Sequence, residues 1–171
     1  MTEPADIIER GTSSTEGSIQ TLHFVLHLPH PVERVWTALV SPEELPGWLA
    51  AADVFEHRLG GAVTLRWLNG GEDPVHSGRV TAWDVERIVE YTIDLHGRCR
   101  FHLAHAAPDT PSSTLRFTNE FQGDDALRLD CLAGWHDHFE YLVDALDGRP
   151  EDWSTWNPDR WRELRASYEA G

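Results

Sequence analysis

The chain has 171 residues, with 14 Lys+Arg against 29 Asp+Glu and a formal net charge of -15, and every one of its basic residues is arginine. A surface this acidic disfavours nucleic acid and anionic membranes as partners, and a chain without lysine has no lysine Schiff base or lysine general base. The length suits one domain whose core needs no disulfides. Its two cysteines, Cys99 and Cys131, lack metal-ligand spacing and are too few for a secreted framework, which points to a cytoplasmic protein.

Residues 1–18 have no basic region followed by an apolar one and are expected to form a flexible tail. No apolar run approaches the ~18 residues of a membrane span, so membrane insertion is not expected. Alternation of Leu22, Phe24, Leu26 and Leu28 with His23, Val25 and His27 predicts a strand over Ile19–Leu28. Pro31 then opens a short helix carrying Val32, Val35, Trp36 and Leu39, and Ser41 with Glu44 reads as a capping box for a second one. From there to Phe121 the chain reads as an antiparallel meander: Val54–Arg58, Ala62–Leu68, Gly78–Asp84, Arg87–Leu95, Arg98–Ala106 and Thr114–Phe121, with His96-Gly97 as a tight hairpin signal.

Asp124 to Gly148 reads as one long helix, capped by Asp124 and stopped by Gly148 and Pro150. Leu129, Leu132, Trp135, Phe139, Leu142 and Leu146 recur at steps of three and four, a stripe roughly 35 Å long at ~1.5 Å per residue. An equally extended surface, a sheet, must cover it. Strand parity supplies the face: Val63, Leu65 and Trp67; Val89, Tyr91 and Ile93; Cys99, Phe101 and Leu103; Leu115, Phe117, Asn119 and Phe121. The opposite parity, with Arg66, Glu90, Arg98, Arg100, Arg116 and Glu120, reads as a solvated face with cross-strand ion pairs. Gly134 sits mid-helix, where glycine costs about 1 kcal/mol relative to alanine. It reads either as a close-packing position or as room left for a ligand beside Trp135.

The stretches VERVWTALVSPEELPGWL, LGGAVTLRW, GRVTAWD, EYTID, LRFTNEF and LAGWHDHFEYLVDAL, in that order over Leu22 to Leu146, resemble the bacterial heat-shock-protein ATPase activator-like branch of the START (SRPBCC) superfamily. The resemblance implies an α+β helix-grip fold: a curved antiparallel sheet of six to seven strands wrapped around the long C-terminal helix, with two short helices after strand one. It also implies a domain over 19–148 with a cavity that in many relatives holds a lipid, sterol, polyketide or aromatic compound.

The inward set is apolar and aromatic with a few polar groups, the usual form of a small-molecule site. The expected function is binding of a hydrophobic or aromatic small molecule by Trp48, Leu65, Trp67, Tyr91, Phe101, Phe117, Asn119, Leu132, Trp135, His136 and Phe139. The alternatives implied by the resemblance are a polyketide cyclase or dehydratase, with His136, His105 and Tyr91 as acid/base candidates, and a chaperone-associated interaction protein. No cofactor is expected. Nor is a metal, because the ten histidines show no recurrent ligand spacing. Residues 149–171 hold Trp153, Trp156 and Trp161 and a short helix started by Asn157-Pro158, with Trp161, Leu164 and Tyr168 on one face. So apolar an extension is expected to dock on its own domain or to form a homodimer interface.

Overall fold

Apolar alternation does place a strand at Ile19–Leu28, but in the computed structural model, which describes residues 7–70 and 72–171, that strand is the second of eight. β1 (Thr12–Glu16) pairs antiparallel with β2 (Ile19–Leu28) across a turn at Gly17, whose φ of 63° suits glycine. Much of the segment expected to be a flexible tail is therefore part of the sheet, anchored by the buried Ile7 and Ile8; residues 1–6 of that expectation lie outside the described residues.

The remaining strands are β3 (Ala51–Phe55), β4 (Ala62–Arg66), β5 (Val75–Asp84), β6 (Ile88–Ile93), β7 (Gly97–His105) and β8 (Ser113–Gln122). The sheet is antiparallel in the order β1-β2-β8-β7-β6-β5-β4-β3, so its first and last strands in sequence are joined through the pairing of β2 with β8. The second expected strand, Val54–Arg58, lies earlier, at Ala51–Phe55, and contains a bulge between Ala52 and Val54. Eight strands, rather than six or seven, make the sheet.

Between β2 and β3 lie α1 (Val32–Val40) and a single 3-10 turn, Leu45–Gly47, in place of the second helix. The expected capping box does not form, because Ser41 Oγ donates to Glu43 and Glu44 instead pairs with Arg34 at 2.6 Å. Trp48 follows, fully buried, its indole N–H donating to Ala38 O at 2.8 Å.

The long helix is α2 (Asp125–Leu146), and the Asp124 carboxylate accepts from Leu127 N at its start. Every residue of its expected stripe is buried. Opposite it, register aligns Phe24, Phe117, Phe101 and Val89 across β2, β8, β7 and β6 at one level of the sheet. Phe139 fills the middle, with ring centroids 5.3 Å from Phe24, 5.2 Å from Phe117 and 5.8 Å from Trp135.

Helix α2 is also packed on a second side by the C-terminal extension. α3 (Asp159–Glu169) packs there, Leu164 and Tyr168 buried. The indole N–H groups of Trp153, Trp156 and Trp161 donate to Pro46 O, the Tyr141 hydroxyl and Asp130 O. Arg160 pairs with Glu140 and Arg165 with Asp130, each at 2.6 Å. The extension thus docks on its own domain, against the back of the helix.

The outer face of the sheet carries the expected ion pairs of Arg98 with Glu90 and Glu120 and of Arg100 with Glu90. Glu90 departs from that reading in being buried at 6% exposure; Thr81 and the two arginines occupy its carboxylate.

Candidate functional site

The meander delivers one aromatic to the near end of the helix groove: Trp67, just past β4, with its ring facing α2. Residue 76 on β5 is the register partner of Leu65, so His76 shares the inward parity. The β6–β7 turn brings His96 in from the side, held in shape by Leu95 and Gly97 at φ of 65° and 69°. Helix α2 contributes Asp130, Cys131, Gly134, Trp135 and His138 at helical spacing, and α3 closes the assembly with Trp161. With Asn69 and Pro74 these residues enclose a pocket of about 320 Å³.

Its walls are three indoles and three imidazoles. Trp67 lies 4.7 Å from His96 and 6.1 Å from His138 between ring centroids, and His76 meets His96 edge-on at 4.9 Å. Gly134 forms a gap in the helix wall: a Cβ built there would meet only Trp161 Nε1, at 3.9 Å. The glycine is therefore not enforced by close packing.

Asn119 lies one layer behind. Its Oδ1 accepts from Trp135 Nε1 at 3.1 Å, and its Nδ2 donates to His96 O at 2.8 Å and to Arg98 O at 3.0 Å. One buried amide thus ties the His96 turn to the Trp135 side chain. Replacing it would leave the buried Trp135 Nε1–H without a partner, at ~1–3 kcal/mol, and free the part-buried carbonyls of His96 and Arg98.

Of the residues singled out in the sequence, Trp67 and Trp135 line the pocket and Asn119 supports it. Trp48, Leu65, Tyr91, Phe101, Phe117, Leu132 and Phe139 are sealed in the core, where their rings pack on one another. The acid/base candidates are scattered. His105 is exposed at the end of β7, Tyr91 is buried 5.9 Å from the Phe55 ring, and His136 is held by the Tyr168 hydroxyl at 2.8 Å on the other side of α2. Sequence reasoning missed His76, His96 and His138. The first was legible, because extending β5 two residues back from Gly78 puts His76 on the inward parity.

Burial sets the charge state of the pocket. Desolvation lowers the pKa of both His96 and His138 to about 4, aided at His96 by the neighbouring imidazoles and opposed at His138 by its bond to Trp48 O. Burial pushes the Cys131 thiol up to about 12, so it is not a poised nucleophile. Asp137, on the side of α2 beneath the extension, is raised to about 6 by burial, only partly offset by its bond from the Tyr141 hydroxyl. Among the described residues its Oδ1 is the buried side-chain atom without a hydrogen-bond partner.

These shifts give a signed pH dependence. The unfolded chain protonates each histidine near pH 6.5 and the folded chain only near pH 4, so the stability they contribute is complete above pH 6.5 and lost as pH falls toward 4. Asp137 opposes this, because its folded carboxyl takes up a proton near pH 6 and its unfolded one near 3.8. Burial also lowers His136, which adds to the histidine side, and raises Glu151, which adds to the carboxylate side; with three histidines against two carboxyls, thermal unfolding between pH 7 and 4 is expected to show falling stability. Each unbalanced proton contributes about 1.4 kcal/mol per pH unit. Asp137→Asn is expected to steepen the fall, and a flat profile would contradict the assignment.

Among the described residues no group of three His, Cys, Asp or Glu side chains is arranged to hold a metal ion. Among the described residues no helix is long and apolar enough to cross a membrane.

A family model described as "Activator of Hsp90 ATPase homolog 1-like protein" matches residues 29–147. No curated protein matches the chain significantly. Among solved structures, a conserved protein of unknown function from Enterococcus faecalis is similar with a TM-score of 0.75 at 15% identity, over 94% of this chain and 89% of that one. CalU16 from Micromonospora echinospora is similar with a TM-score of 0.68 at 16% identity, over 95% and 96%. DynU16, a protein in the dynemicin biosynthetic locus, is similar with a TM-score of 0.62 at 19% identity, over 76% of this chain and 48% of that one. At these identities the likeness is one of fold.

Proposed function

Because the chain belongs to the Activator of Hsp90 ATPase homolog 1-like family, in the START/SRPBCC superfamily, and a helix-grip fold by itself fixes no activity, we propose from the pocket's own chemistry that it reversibly binds a hydrophobic, aromatic small molecule. The observation that carries this is the pocket of about 320 Å³ walled by Trp67, Trp135 and Trp161, with Gly134 opening the helix wall. Apolar walls with a few convergent polar groups are the common form of a ligand site. The similarity to a protein in a biosynthetic locus agrees with a small organic ligand. Relative to the sequence-based expectation, the site moves from the centre of the groove, which aromatic side chains fill, to the end nearer the start of α2.

A second reading, proton-transfer catalysis on the same ligand, rests on one observation, the imidazoles of His76, His96 and His138 in the pocket lining; with the pKa of His96 and His138 lowered to about 4, both are weak bases at neutral pH, which leaves binding the better supported reading. His105, His136 and Tyr91 take no part in it.

A thermal-shift screen against flavonoids, sterols, fatty acids and small aromatics tests the binding reading. A saturable rise in melting temperature confined to aromatic compounds is expected, because a ligand of the folded state stabilises it by mass action. Rises with fatty acids or sterols alone would oppose it. Incubating the binders with protein and looking for product separates carrier from enzyme.

A further inference from the structure

Two of the pocket's histidines have their tautomers fixed from outside. An indole N–H can only donate, so the 2.8 Å bond from Trp67 Nε1 makes His76 Nδ1 an acceptor and leaves the ring hydrogen on Nε2. A carbonyl can only accept, so His138 Nδ1, 2.8 Å from Trp48 O, must donate. His138 is buried and neutral, which leaves its Nε2 as a bare acceptor, and no partner among the described residues occupies that atom. The two rings flank Trp67 at 6.5 and 6.1 Å between centroids. One offers a donor and the other an acceptor.

Among the described residues the pocket lining holds no arginine to receive an anion. Its one charged lining residue is Asp130, which is paired with Arg165. Size limits the ligand as well: about 320 Å³ is the share of roughly ten liquid waters. That seats one or two fused rings, and anything larger extends out of the open side of the pocket.

Resting on the binding function proposed above, we infer that the ligand class is an uncharged one- or two-ring aromatic carrying both a hydrogen-bond acceptor and a donor, the acceptor meeting His76 Nε2–H and the donor meeting His138 Nε2. His96 lies between them in the wall with both ring nitrogens unclaimed among the described residues, so it adapts to either polarity.

A series of bicyclic probes of nearly equal shape tests this by titration of tryptophan fluorescence at pH 7.5: naphthalene with neither group, quinoline with the acceptor, 2-naphthol with the hydroxyl donor, 6-hydroxyquinoline with both, and 2-naphthoate with a charge. The expected order places 6-hydroxyquinoline at least about tenfold tighter than naphthalene, the single-function probes between them, and 2-naphthoate weakest. His76→Phe is expected to erase the advantage of quinoline over naphthalene and to leave most of that of 2-naphthol, whose hydroxyl, an acceptor as well as a donor, still donates to His138 Nε2. Equal affinities for naphthalene and 6-hydroxyquinoline, or tightest binding by 2-naphthoate, would overturn the ligand class while leaving the pocket as an aromatic site. Failure of all five to bind would overturn both. The wild-type series stands whether or not the variant folds.

Discussion

Replacing Gly134 by leucine is expected to lower affinity for aromatic probes about 100-fold or more while leaving the melting temperature unchanged or raised. The position is mid-helix, where glycine costs about 1 kcal/mol relative to alanine. A Cβ there meets only Trp161 Nε1, at 3.9 Å, so the helix accepts a Cβ without displacement and the rest of the side chain extends toward the pocket. The isobutyl group then occupies the space between Trp67, Trp135 and Trp161 that a ligand would take. The variant thus separates two roles that coincide at most buried positions. Unchanged probe affinity in a folded Gly134→Leu protein would place the ligand elsewhere. A loss of several kcal/mol in stability would make Gly134 a packing residue instead.

The reverse pattern is expected at Phe139. Phe139→Ala should destabilise the fold by ~3–5 kcal/mol, read from denaturant unfolding, because the ring is fully buried and no neighbour can move to fill the space it leaves. Its contacts are aromatic on every side: Phe24, Phe117, Trp135 and Trp48 lie with ring centroids 5.2–6.4 Å away. The rings opposite belong to β2 and β8, pinned by register in the middle of the sheet, and Trp48 is tied to Ala38 O. A rigid wall keeps its cavity, and a dry cavity loses both the transfer free energy and the dispersion contacts. A cost below ~1.5 kcal/mol would show that the centre of the groove is loosely filled and could itself admit a ligand.

The contrast between Gly134 and Phe139 shows how far the sequence could be read. Long, strongly patterned elements were legible: the alternation in β2 and the stripe on α2 each state which side is buried, and the parity of Val63, Tyr91, Phe101 and Phe117 names the core. β1 was not legible, because an edge strand with four of its five residues exposed has no apolar alternation to show. Its only signals were the threonines and the turn at Gly17.

The candidate site escaped for a different reason. Parity tells which residues point inward and not which of them leave space, so Phe101 and Phe117 counted equally with Trp67 until packing separated them. His96 and Trp161 come from a tight turn and from the C-terminal helix, and only tertiary contact brings them to the same wall. Asp137 lies off the apolar stripe of α2, and the Trp156 that bonds its neighbour Tyr141 is distant in sequence.

The central claim, that the end of the groove near Gly134 is the ligand site, is tested most directly by a crystal structure of the protein saturated with 6-hydroxyquinoline. The account predicts density for the probe between Trp67, Trp135 and Trp161, with its polar atoms toward His76 and His138. Density for the probe in the centre of the groove against Phe101 and Phe117, or on the outer face of the sheet, would contradict it.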